Sequence, residues 1–250
     1  QSSLLSAAKF DQNYNSQYSY IAKVGYPMGM MYGFIYEGTY KYEDFDKVGD
    51  TYTLKRNVPY FSSESNTQPG MPKYADLNGD GIIDDNDRTM IGNGMPKHTG
   101  GFTNNFEYKG FDFTAFGTGV AGNKIFNILY RADSPLRNSL RYYMDNAWTP
   151  ENKGASMPAP SQVATDLNFW GSSASMFNGS YFKIKQLQLG YTLPKKLTQK
   201  VAIKNLRFFV SLDDFFTFSS YPGMDPETAT TGRNGGAGFD IGSYPTMKKC

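Results

Sequence analysis

The chain has almost no cysteine and almost no histidine. Cys250 is the single cysteine and His98 the single histidine among 250 residues. This excludes an internal disulfide framework, a cysteine metal centre, and any Ser-His-Asp or Cys-His arrangement set by a motif around the histidine. A strong charge of one sign is also lacking. The balance of 25 Lys and Arg against 23 Asp and Glu leaves a net charge of +2, too weak a field to argue for nucleic acid, and no basic run forms a binding arm. No stretch nears the roughly 18 apolar residues that a membrane helix needs. The segment Gln1-Ser-Ser-Leu-Leu-Ser-Ala-Ala has neither the charged start nor the apolar core of a leader. Only a helical span is excluded on these grounds, because a membrane-crossing strand needs about ten residues of alternating polarity.

Aromatics and turn formers are plentiful. Phe, Tyr and Trp make up 16% of the chain, beside 26 Gly and 13 Pro, a composition that favours strands and turns and predicts an all-β protein. The alternation sharpens after residue 100. Phe102, Asn104, Phe106 and Tyr108 fall on one face of a strand, with Thr103, Asn105 and Glu107 on the other. Lys109-Gly110 turns the chain, and Phe111, Phe113, Ala115, Gly117 and Gly119 then alternate with Asp112, Thr114, Phe116 and Thr118. Further on, Leu187, Leu189, Tyr191 and Leu193 share a face with Lys183 and Lys185, opposite Gln186, Gln188 and Thr192. Leu206, Phe208, Val210 and Leu212 alternate with Arg207, Phe209, Ser211 and Asp213. Short turns at Lys109 and near Pro194 alternate with long excursions before Gly100, after Val120 and after Phe218. Outer-membrane barrels have that asymmetry, with their long loops on one side. A soluble β-sandwich would show the same strand alternation.

The segment Asp76-Leu-Asn-Gly-Asp-Gly-Ile-Ile-Asp-Asp-Asn-Asp87 has the spacing of an oxygen-ligand loop for Ca²⁺. Asp76, Asn78 and Asp80 occupy positions one, three and five, Gly81 the sharp turn, Ile82 offers its carbonyl, and Asp84 and Asp87 take positions nine and twelve. Six to eight oxygens satisfy a hard cation, and this run carries that many, so a structural Ca²⁺ is the expected cofactor. Pro72 before the loop and Gly92, Gly94 and Pro96 after it leave no room for the long helices of an EF-hand domain.

From this loop onward the chain resembles a known family. Asp76 to Asp84, then Asp87-Arg88, Ile91-Gly92, Pro96-Lys97-His98-Thr99-Gly100-Gly101-Phe102 and Tyr108-Lys-Gly-Phe-Asp112 are similar to a late extracellular loop and strand of SusC/RagA-type TonB-linked transporters. Trp148-Thr-Pro-Glu-Asn, the strand Ser180 to Pro194, Leu206-Arg-Phe-Phe-Val-Ser, Tyr221-Pro-Gly-Met-Asp-Pro-Glu227 and Gly238 to Pro245 agree with it. The resemblance implies that residues 1–250 are the C-terminal part of a transmembrane antiparallel β-barrel with long extracellular loops, the plug domain and most strands lying outside this chain. It implies uptake of oligosaccharides or peptides with a SusD-like surface lipoprotein, energy supplied through TonB, contact with outer-membrane lipid, and no enzymatic chemistry. A few strands cannot span lipid alone, since open edges leave backbone groups unpaired. The competing reading is a soluble calcium-stabilised β-rich module that binds carbohydrate. Among other residues, His98 is expected at a strand start, and Asp213-Asp214 as barrel polarity. Tyr142, Tyr143, Trp148, Phe169 and Trp170 are expected chiefly in packing and secondarily in stacking on sugar.

Overall fold

The computed structural model describes residues 6–9, 19–22, 27, 30–127, 141–160, 167–201, 203–228, 238–240 and 245–249. Among the described residues, ten strands precede the long hairpin: β1 (Ser6–Lys9), β2 (Ser19–Ala22), β3 (Met30–Gly33), β4 (Tyr36–Thr39), β5 (Phe45–Val48), β6 (Thr51–Leu54), β7 (Tyr60–Phe61), β8 (Pro72–Tyr74), β9 (Ile82–Ile83) and β10 (Thr89–Asn93). Then come β11 (His98–Tyr108), β12 (Phe111–Ala121), β13 (Lys124–Asn127), β14 (Met176–Asn178), β15 (Tyr181–Thr192), β16 (Arg207–Ser219) and β17 (Phe239–Asp240). The helical pieces are short, among them Arg141–Asn146 within the long connection.

The four long strands form one antiparallel sheet in the order β11-β12-β15-β16. Lys109 and Gly110 both have positive φ, 47° and 87°, as a two-residue hairpin loop requires if its twist is to match that of the strands. The register runs from His98 opposite Ala121 to Tyr108 opposite Phe111. In the rest of the sheet Phe113 faces Leu189 and Leu189 faces Val210, while Thr114 faces Gln188 and Gln188 faces Ser211. Phe106, Phe111, Phe113, Leu187, Leu189, Phe208, Val210 and Leu212 therefore share one face, and Asp112, Thr114, Gln186, Gln188, Arg207, Ser211 and Asp213 share the other. The predicted alternation holds in this half of the sheet.

The prediction fails at Lys183. Lys185 is skipped in both registers: Gln186 pairs with Phe116 and Asp213, and Ile184 with Gly117 and Phe216. Asp214 takes a φ of 53° opposite this irregularity; the one extra residue on β15, Lys185, bends that strand and shifts its parity, while β16 passes two residues, Asp214 and Phe215, between Asp213 and Phe216 and keeps its own. Beyond the bulge Phe182, Ile184, Phe216 and Phe218 continue the apolar face. Lys183 moves to the polar face, opposite the side where simple alternation from Leu187 puts it.

The apolar face lies open. Phe106, Leu189, Phe208 and Val210 are 54–67% exposed, an apolar surface that water alone would not tolerate over four strands. Aromatic rows bound this face: Phe102, Phe182 and Phe218 stack at one end, with ring centroids 6.1 and 6.3 Å apart. Phe111 and Tyr191 lie 4.4 Å apart at the other.

The short Lys109-Gly110 turn and the 193–206 connection lie at the same end of the sheet, since Phe111 pairs with Tyr191 and Thr192 with Arg207. The remaining strands and the true core belong to segments leaving the opposite end. Met31, Phe126, Ala147, Met157, Phe169 and Phe239 pack there into one buried cluster. Tyr40, Phe45 and Leu54 form a second.

Candidate functional site: an acidic loop and a charged inner face

The acidic loop is held by its flanks. Ile83 is buried against Phe34 and Tyr74, with Phe61 packed beside them, and β9 pairs in parallel with β7. The Arg88 guanidinium lies 4.7 Å from the Phe34 ring centre. Within the loop the short polar side chains bind local backbone, as Asp and Asn do in turns. Asp76 accepts from the Gly79 and Gly81 amides at 2.7 and 2.8 Å. Asn78 accepts from the Asp80 amide at 2.9 Å, Asp80 from that of Ile82 at 2.8 Å, and Asp84 from that of Asn86 at 2.7 Å. Gly79 and Gly81 take φ values of 78° and 84°, which a residue with a Cβ would adopt at a cost. No long helix flanks the loop, as its prolines and glycines predict. β8 precedes it, and the single turn Asp85–Asp87 leads to β10.

Asp87 has a role that spacing does not reveal. Its side chain is wholly buried. One oxygen accepts from the Leu77 and Asn78 amides at 2.8 and 3.3 Å, and the other accepts from the Asp84 amide at 2.9 Å. Burial would raise its pKa, but these donors outweigh it and hold the carboxyl below the usual range. Asp87 thus ties the two ends of the loop together. The donor set of Asp76, Asn78, Asp80, Asp84, Asp87 and the Ile82 carbonyl has the all-oxygen chemistry of a hard-cation site. Among the described residues no three His, Cys, Asp or Glu side chains gather closely enough to hold an ion. The loop geometry as it stands is therefore maintained by backbone donors.

The polar face of the sheet carries two ion-pair systems. Arg207 on β16 reaches over the middle strand to Asp112 on β12, its Nε donating to Oδ1 at 2.9 Å and its Nη2 to Oδ2. The path crosses Gly190, where an added Cβ would lie 2.4 Å from Asp112 Oδ1. Glycine leaves the saddle that the pair needs. A groove of about 720 Å³ opens here, lined by the hairpin from Asn105 to Thr114 with Thr192 and Arg207.

The second system centres on Lys183, which is 1% exposed. Its ammonium donates to Asp225 at 2.9 Å, to Glu227 at 2.7 Å and to the Thr246 hydroxyl at 2.7 Å. Lys185 joins Glu227 at 2.7 Å and Asp214 at 3.1 Å. Burial raises the Asp225 carboxyl, but Lys183 and the Glu227 and Thr246 donors pull it below the usual range. Nearby, Asn127 donates to the Tyr221 hydroxyl at 2.6 Å, and that hydroxyl donates to Asp240 at 2.5 Å.

Other sequence candidates fall into packing. Trp148 and Phe169 are buried, Trp148 against Gly70. The side chains of Tyr142, Tyr143 and Trp170 lie outside the described residues. His98 begins β11, exposed. Asp213 accepts from Ser211 at 2.8 Å, and Asp214 sits in the bulge.

No family model matches the chain. TonB-dependent receptor P3 of Formosa agariphila is 33% identical over 234 residues, covering 91% of this chain and 22% of the relative. TonB-dependent receptor SusC of Bacteroides thetaiotaomicron is 24% identical over 187 residues, covering 73% and 17%. Among solved structures, the RagAB peptide transporter superposes with a TM-score of 0.65 at 22% identity, covering 94% of this chain and 23% of that one. The RagAB peptide importer in its closed-closed state gives 0.63 at 22% identity, covering 92% and 23%. The chain spans 17% to 25% of the length of the curated relatives it matches. A two-faced antiparallel sheet bounded by aromatic rows, with loops leaving one end and sequence shared along nearly all its length with TonB-dependent receptors, places the chain among the SusC/RagA-type TonB-dependent transporters, as a fragment of the barrel.

Proposed function

We propose that this chain supplies the C-terminal part of the wall, together with external loops, of an outer-membrane transporter. The whole protein imports oligosaccharides or peptides under a SusD-like surface lipoprotein, powered through TonB. The observation that carries this reading is the exposed apolar face between aromatic rows. From Phe182 to Tyr191 the strand rises ~30 Å at ~3.3 Å per residue. Tilted by about 40°, it covers roughly the 25 Å height of a barrel's apolar band. That face meets lipid, and the face with Arg207, Asp112 and Lys183 lines the interior. The loops of residues 30–97 and 141–178 leave the end opposite the short turns and are external, where they meet the lipoprotein. No residue performs covalent chemistry. A soluble carbohydrate-binding module offers nothing to cover the apolar face.

Ca²⁺ draws Asp76, Asn78, Asp80, Asp84, Asp87 and the Ile82 carbonyl together from the separated positions they hold in the amide-bonded loop, stiffening the external surface and so lowering the entropy lost on docking. Spin labels in the full-length transporter test the wall. Positions 189, 208 and 210 should respond to oxygen and positions 188, 207 and 211 to a water-soluble nickel relaxant; equal response of both sets would reject it. Antibodies to residues 76–87 should label intact cells. Calorimetry should show one Ca²⁺ per chain, and no heat at saturating calcium would remove the metal from the proposal. Co-purification of a lipoprotein encoded beside the gene tests the partner.

A further inference from the structure

We infer that residues Tyr221 to Thr228 form a fixed strap across the inner face of the barrel wall, and that Lys183 is the positioning residue that pins it. The inference rests on reading the polar face as the interior.

The strap follows β16 directly and turns back over the sheet it has just left. Three chain segments distant in sequence meet on one carboxylate. Asp225 Oδ2 accepts from Lys183 Nζ at 2.9 Å, from the Thr246 amide at 3.2 Å and from the Thr246 hydroxyl at 2.9 Å. Its Oδ1 accepts from the Glu227 amide at 2.9 Å. All three ammonium hydrogens of Lys183 are used, and a buried lysine with carboxylates on two sides has no low-energy alternative position. The Thr246 segment is itself held in the sheet, because Lys249 exchanges both backbone hydrogen bonds with Asp213 of β16 at 2.8 and 3.0 Å. Both limbs of the excursion after β16 are thus clamped at their base. A second anchor lies further along, where Tyr221 binds Asp240 and β17 pairs in parallel with β13.

The bulge makes this possible. Without the extra residue at Lys185, Lys183 would point to the apolar face, and the buried Asp225 would lose its cation. The strap instead turns Asp225 to the wall and leaves Pro222 and Met224 exposed on its outer side. A strap held this way is a permanent part of the lumen wall that narrows the passage, and cargo moves past it without displacing it.

The test uses the full-length transporter with spin labels at Gln188 and Met224, read by pulsed dipolar spectroscopy. The native protein should give one narrow distance, unchanged between apo and substrate-loaded states. Lys183→Met should broaden it by several ångströms. Asp225→Asn, which keeps the shape and removes the charge, should broaden it less. Lys185→Met should leave it narrow, because Glu227 remains on Lys183. If Lys183→Met fails to insert, the Asp225→Asn and Lys185→Met comparison decides. A broad native distance, a distance that shifts with substrate, or equal effects from Lys183→Met and Lys185→Met would overturn the inference. Failure of the barrel reading looks different: the distance would stay narrow while the Met224 label responded to oxygen and not to nickel.

Discussion

Replacing Asp87 by Ala separates two roles that a calcium-type loop mixes together. The substitution removes the acceptor of three backbone amides, Leu77, Asn78 and Asp84, from a fully buried position. A buried donor left without an acceptor costs about 1–3 kcal/mol. The loop is near solvent and water enters part of the gap, so the net loss is about 2 kcal/mol for the local closure, with or without metal. At about 1.4 kcal/mol per tenfold, amide exchange at these residues should accelerate roughly 30-fold. Asp80→Ala is the contrast. Its oxygens accept from the exposed Ile82 amide and Asn78 side chain, which water replaces, so exchange in EDTA should change by no more than about twofold. Calcium affinity should instead fall by about tenfold or more, because a charged ligand is lost. Hydrogen exchange of the full-length transporter, with calcium and with EDTA, reads both effects. If Leu77, Asn78 and Asp84 exchange within about twofold of the native rate in Asp87→Ala under EDTA, Asp87 is not the clasp and the reasoning fails.

The same carboxylate sets a pH dependence. Its folded pKa is depressed, so its stabilising contribution is present above the unfolded value near ~3.9 and is lost as pH falls through the folded value. In EDTA, loop protection should stay level from neutral pH to about 5 and fade below about 4; a decline centred near 6 would contradict it. Gly70→Ala should loosen the external loops: Gly70 has a φ of 86°, and a Cβ would meet Trp148 ring atoms at 2.6–3.0 Å. Backbone strain plus overpacking costs about 2–4 kcal/mol, read as faster exchange across Trp148 to Ala159, and native-like exchange there would refute it. Gly190→Ala should displace the Arg207 and Asp112 side chains without altering strand register. A cryo-EM map with that ion pair intact over the new methyl would show that the saddle is not needed.

Local chemistry was open to reading in the sequence. The Lys109-Gly110 hairpin, the alternation from Phe102 to Gly119 and the Asx-rich turn from Asp76 to Asp87 depend on neighbours within about ten residues, so residue order alone determined them. The resemblance to TonB-linked transporters rested on the same runs. Tertiary structure decided which face Lys183 occupies, because the extra residue at Lys185 is an irregularity only relative to β12 and β16, strands that period-two counting does not see. It also decided that Gly190 is bridged by groups 95 residues apart in sequence, and that Trp148 is packed. Each of these depends on the position of a partner that the chain brings close only by folding. The sign was present in Lys183 itself, a lysine in phase with leucines along a strand, and only the bulge and the carboxylates of Asp225 and Glu227 give that charge a buried place.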